Sequence, residues 1–309
     1  MKQYFIGELI RKRRLELKLT QEQLCEGICE PITISRLENG RQTPSMNTLR
    51  VFLQRLGLPE YKYYALISKH EMQIDDLKEE IISANVLKDS ERGLTKIKEL
   101  EELADPDDTL IDQFILRSKV LLGKRENGEV VAYSLDEKLD MLFKAIHLTA
   151  PNFDIDAIHE GLYSIDEVKV INQIALVYSN LGQNKKAIDI YYQLLKYIKK
   201  HFQNILRSNG ILPLVAFNYA RELDLVERYE EAIEIAELGW KACIQYGQYR
   251  TLPETVALIA ECYHFLGQDD RSKEHYRQAY YLYKTIKNER GINVVVSETQ
   301  KYFGQSVSF

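Results

Sequence analysis

Apolar residues fall at helical spacing along nearly the whole chain, and the pattern is sharpest between Leu19 and Pro44. Leu24 and Ile28 stand four apart, and Ile34 and Leu37 three apart, which predicts two short helices with one buried stripe each. Thr20 with Gln23 three residues on has the capping-box spacing that opens the first. Cys29-Glu30-Pro31 reads as the turn between them, and Asn39-Gly40 ends the second. At 100° per residue, burying Ile34 and Leu37 turns Ile32 and Arg36 outward, with Ser35 beside them. A short helix with a basic and small-polar outer face, held by a preceding helix, is the recognition element of a helix-turn-helix.

Beyond residue 80 the pattern becomes repetitive. Small residues recur where paired helices must approach closely: Ala175, Gly182 and Ala187, then Ala220, Ala232 and Ala236, then Ala260, Gly267 and Ala279. Aromatics such as Tyr178, Tyr191, Tyr263 and Tyr276 fill the gaps. This is the tetratricopeptide pattern of antiparallel helix pairs, stretched beyond its usual period. Two degenerate pairs are expected earlier, from about Ile74 to Leu103 and from Leu110 to Ile146 with a loop at Asn127-Gly128. A last stretch after Asn288 would cap the stack. One repeat cannot bury its apolar face alone, so about five pairs are expected to stack into a solenoid. The expected organisation is all-α: a five-helix helix-turn-helix domain over 1–59, a linker helix over 60–80, and a repeat domain over 81–309.

Charge divides along the same line. Residues 1–59 hold ten Lys and Arg against six Asp and Glu, net +4, and the remainder holds 31 against 40, net −9. A basic head on an acidic body fits one module that meets phosphates and one that does not. Arg11-Lys12-Arg13-Arg14 closes the first helix, where basic residues strengthen binding without specifying sequence. No apolar run reaches membrane-spanning length, and the polar N-terminus has no secretory apolar core, so the expected location is the cytoplasm. Cys25, Cys29, Cys243 and Cys262 form no CxxC pair and read as reduced core thiols. The scattered histidines make no metal or nucleophile pattern, and no glycine loop cradles phosphate. No catalytic residue, metal or cofactor is expected.

Gln21, the run Ile34-Ser35-Arg36-Leu37-Glu38-Asn39-Gly40 and Thr43-Pro44-Ser45 resemble the XRE-type helix-turn-helix of phage repressors over residues 4 to 58. Ile28-Cys29 before the recognition helix is closer to the PlcR-like variant. With the repeats, the chain resembles the Rap–Rgg–NprR–PlcR–PrgX group of peptide-pheromone receptors. That resemblance implies a homodimeric quorum-sensing transcription factor, with double-stranded palindromic DNA and a short signalling peptide as partners. The DNA-facing candidates are Arg14, Thr20, Gln21, Pro31, Ile32, Thr33, Ser35, Arg36 and Arg41. Among them, Arg36 suits a guanine, Ile32 a thymine methyl, and Gln21 a phosphate.

Taking Ala175, Ala220 and Ala260 as close-packing positions, the inner face of each first helix falls at fixed offsets from them. This selects Lys169, Asn172, Leu176, Ser179 and Asn180, then Leu214, Phe217, Arg221, Asp224 and Leu225, then Glu254, Ala257, Glu261, His264 and Phe265. Asn172 falls where the family uses an amide on the peptide backbone, a group that both donates and accepts. Asn218 matches another family asparagine. Glu254, in place of a neutral amide, points to a basic or amine group on the ligand. The competing readings are a repressor whose repeats bind a protein partner, or one whose repeats only dimerise.

Overall fold

The computed structural model describes residues 6–58, 69–203, 205 and 210–304, which form two compact units, 1–180 and 181–309. Four helices make the head of the first unit: α1 (Ile6–Glu16), α2 (Gln21–Cys25), α3 (Pro31–Glu38) and α4 (Met46–Arg55). Any fifth helix of the head, and the part of the expected linker over residues 60–68, lie outside the described residues. The apolar stripes meet in one core of Ile10, Leu24, Ile34, Leu37, Leu49 and Phe52, each at most 3% exposed. Gly7 lets α1 cross α3, because a Cβ there would lie 1.9 Å from the Leu37 carbonyl oxygen.

The helices α5 (Lys69–Leu87), α6 (Ser90–Leu103), α7 (Thr109–Leu122), α8 (Leu135–Thr149) and α9 (Ile165–Asn180) complete this unit. α5 runs unbroken through residue 80, so the described part of the expected linker is the first half of a repeat helix. The Asn127-Gly128 loop is a two-residue hairpin between β1 (Lys124–Glu126) and β2 (Glu129–Val131), which pair antiparallel. Both turn residues have positive φ, 51° and 88°, the backbone for which Asn-Gly is the preferred pair.

The head is bolted to this body through buried polar groups. Arg55, 2% exposed, donates to the Leu24 and Glu26 carbonyls of the head and to the Thr149 carbonyl and Glu167 carboxylate of the body. Gln54 Oε1 accepts from the Ile165 backbone at the start of α9. Gly27, at φ +71°, sits where a Cβ would come 2.1 Å from the Thr149 carbonyl oxygen.

The second unit holds α10 (Asn184–His201), α11 (Ile211–Leu225), α12 (Tyr229–Tyr246), α13 (Leu252–Phe265), α14 (Asp269–Thr285) and α15 (Glu289–Phe303). Ala220, Ala232, Ala236, Ala260 and Ala279 are fully buried where the sequence placed close helix contacts, and so is Ala175 in the first unit. α15 packs Val295 and Ile292 against Tyr276, Ala279 and Tyr283 and closes the stack. Cys25, Cys243 and Cys262 are buried free thiols, and burial raises Cys25 to about 11, but Cys29 is only half-buried. Among the described residues no helix is long and apolar enough to cross a membrane.

Candidate DNA-reading helix and ligand face

α2 opens on the expected capping box: Thr20 Oγ1 accepts from the Gln23 backbone at 3.1 Å, and Gln23 Oε1 accepts from the Thr20 backbone at 2.8 Å. α3 begins with Pro31 at its first turn and ends at Asn39, with Gly40 at φ +66° just past it. Ile34 and Leu37 are buried, while Ile32 is 56% exposed and Arg36 is exposed. Pro31, Thr33 and Ser35 are half-buried along the same helix, and Thr20 and Arg41 are exposed. Among the described residues the Arg36 guanidinium has no internal partner, so all its donors remain available to a ligand.

Arg14 is a correction. It is 7% exposed and grips Glu38 with two hydrogen bonds, Nε to Oε1 at 2.6 Å and Nη2 to Oε2 at 2.8 Å, while Nη1 reaches the Leu19 carbonyl. The bond to Glu38 holds its pKa above the ordinary value. Gln21 Nε2 donates to the same carboxylate at 2.8 Å. Glu38 therefore ties α1 and α2 to α3; the buried Arg14 is not free for phosphate, while Gln21, half-buried, keeps one N–H of its amide beyond the bond to Glu38. Arg13 divides itself between the Leu56 carbonyl and Glu16. Arg11 and Lys12 are the exposed members of the run, and they line an open depression with Asn39 and Gly40 at the end of α3.

In the first unit, the α9 candidates differ in access. Lys169 is half-exposed and paired with Asp166 at 2.9 Å. Leu176 and Ser179 are half-buried and Asn180 is exposed, whereas Asn172 is only 5% exposed, so a ligand could touch no more than the rim of its amide.

In the second unit Phe217, Arg221, Asp224, Glu254, Glu261 and His264 are all partly exposed, and Asn218 is 8% exposed. Burial raises the Glu254 carboxyl, and its Oε2 is buried without a partner. The structure brings Asp224 of α11 and Glu261 and His264 of α13 together with two α15 residues that the sequence reading passed over, Glu298 and Tyr302. Burial, reinforced by Glu261, pushes Asp224 up to about 6 and Glu298 up to about 7. Cys262 Sγ donates to Asp224 at 3.3 Å, and Tyr302 Oη donates to Glu261 at 2.7 Å. Aromatic rings border these carboxylates: His264 stacks on Tyr302 with centroids 4.3 Å apart, and Phe265, 47% exposed, meets Tyr302 at 5.7 Å and Tyr229 at 5.1 Å.

The fold has known counterparts. PlcR of Bacillus thuringiensis, in complex with the peptide PapR7 and DNA, superposes with a TM-score of 0.61 at 20% identity, covering 94% of this chain and 99% of that one. Its apo form gives 0.59 at 20% identity, covering 94% and 98%. ComR from Streptococcus suis gives 0.45 at 16% identity, covering 97% and 96%. At such identities the PlcR likeness is one of fold. No curated protein matches the chain in sequence. Residues 10–62 match the helix-turn-helix family model, and residues 78–304 match the model of the RNPP family C-terminal domain. With that second match running over most of its length, the chain belongs to the RNPP family of helix-turn-helix regulators.

Proposed function

We propose that this protein is a non-enzymatic, cytoplasmic quorum-sensing regulator. It binds palindromic DNA as a homodimer and is controlled by a short signalling peptide held on the inner faces of its repeat helices. The observation that carries the reading is α3: its apolar side is sealed in the head, and its outer side presents Ile32 and an unengaged Arg36. A helix presented this way fits a major groove, where a guanidinium reads guanine with two prongs. Arg11 and Lys12, both exposed, take over the phosphate-contacting role expected of Arg14. The family membership and the PlcR complex with PapR7 and DNA support the peptide half of the proposal.

The test has two arms on the full-length protein. Random-sequence duplexes are enriched by binding, and the selected sites should be two-fold symmetric. Synthetic peptides from small secreted precursors encoded beside the gene are then titrated calorimetrically, and one should bind and change affinity for the selected duplex. A selected site without symmetry sinks the palindrome. Failure of every such peptide, with DNA binding intact, would leave a repressor whose repeats serve a protein partner.

A further inference from the structure

We propose that the cluster formed by α11, α13 and α15 is a subsite for a cationic group, a guanidinium or an ammonium, carried by the peptide ligand. The inference rests on the peptide-receptor reading and narrows the chemistry of that ligand. Asp224, Glu261 and Glu298 come from three different helices and are all half-buried, and Glu261 stands close enough to raise the proton affinity of both Asp224 and Glu298. Among the described residues none of the three has a Lys or Arg within ion-pair distance. Lys301, the nearest cation by its effect on Glu298, lies instead over the Tyr302 ring at 4.8 Å. Crowded carboxylates without a counter-charge are costly in a folded protein, and they remain only where something else compensates them.

A second observation points to what is missing. Tyr276 is fully buried, and its hydroxyl makes no hydrogen bond of good geometry while facing Glu298 and Glu261. An acceptor-rich recess with an unsettled phenol suits a group that only donates. A guanidinium has five such donors in a plane and an ammonium has three. The walls suit it as well. Aromatic rings border the carboxylates, among them Phe265, 47% exposed, and a cation over an aromatic face gains electrostatic attraction in addition to its ion pair.

The cation has two possible sources on a peptide, a basic side chain or the free N-terminal amine, and the experiment separates them. The probes are heptapeptide mixtures in which each position in turn is fixed as Arg, Lys, Leu or Glu, made with free and with acetylated N-termini. Binding to the full-length protein is read by thermal shift and fluorescence competition. At one position the acetylated Arg and Lys mixtures should bind about tenfold tighter than the Leu mixture, the scale of one charge-assisted contact. An advantage seen only with free N-termini assigns the subsite to the terminal amine. The paired variant Asp224→Asn with Glu261→Gln keeps shape and removes charge, and should bring the Arg and Lys mixtures down to the Leu level. It should fold, since it relieves repulsion, and a melting curve confirms this. Binding without any cation advantage, or an advantage that survives the paired variant, overturns this inference and leaves the peptide receptor standing. If no mixture binds the wild type, the receptor reading fails and the inference goes with it.

Discussion

Arg36 and Arg14 stand on neighbouring helices with opposite fates, and the difference lies in what each side chain meets. Arg36 projects from α3 with no internal partner, so Arg36→Ala should weaken binding to the selected site by about 1–3 kcal/mol while sparing random DNA. Fluorescence anisotropy on both duplexes measures this, and an equal loss on the two would remove its base-reading role. Arg14 is sealed against Glu38 with a bidentate geometry. Removing it strands a carboxylate that is 6% exposed, with only the Gln21 amide left to satisfy it. Arg14→Ala should therefore cost about 3–5 kcal/mol of folding stability, read by urea denaturation. Wild-type stability with weakened non-specific DNA binding would instead return Arg14 to the phosphates. Nothing local in the sequence separates the two arginines. Arg14 ends a basic run that looks solvated, and its partner is 24 positions away, joined to it only when α1 crosses α3 at Gly7.

At the scale of elements, helix pairs and caps were legible because they are written in local spacing. Thr20 with Gln23, Asn39-Gly40 and the buried alanines all stand where the periodicity placed them. The hairpin at Asn127-Gly128 reads as a plain loop in the sequence despite its turn pair, because three-residue strands are too short to alternate convincingly. Glu298 and Tyr302 were missed for another reason. α15 was expected only to cap the stack, and its link to Asp224 and Glu261 depends on which face it turns toward α13. That link has a consequence for pH. The folded pKa values of Asp224, about 6, and Glu298, about 7, lie above those of unfolded carboxylates, near 4, so the folded state holds protons more tightly. The stabilisation they give is full below pH 4 and is lost as pH rises through 6 and 7. The charged groups facing Glu298 are Glu261, Asp224 and Lys301, and the Tyr276 hydroxyl lies beside it. Glu298→Gln should thus gain melting temperature over wild type at pH 8, and lose that gain at pH 5. A gain independent of pH would mean that packing, not titration, is the cause.

For the whole molecule, a lone head can do little. One helix in one groove reads a few base pairs, and the sequence-independent phosphate contacts proposed for the exposed Arg11 and Lys12 cannot supply the rest of the specificity. Two heads related by a two-fold axis double the read sequence and make the site palindromic, with half-sites about one or two helical turns apart. The head cannot adjust that spacing by swinging on a loose tether against its own body. Arg55 joins it to Thr149 and Glu167 through buried bonds, Gln54 caps the start of α9, and Gly27 packs against the end of α8. A rigid head transmits any movement of α8 and α9 directly to α3, and in the proposed dimer it makes half-site spacing a property of the whole assembly. Inserting base pairs between the half-sites should therefore abolish tight binding at half a helical turn and not restore it fully at a whole turn. Binding recovered at every insertion length would mean that the two heads move independently. Analytical ultracentrifugation at micromolar concentration provides the companion measurement: a dimer is expected with the selected duplex bound, and a single chain per duplex would refute the two-fold arrangement.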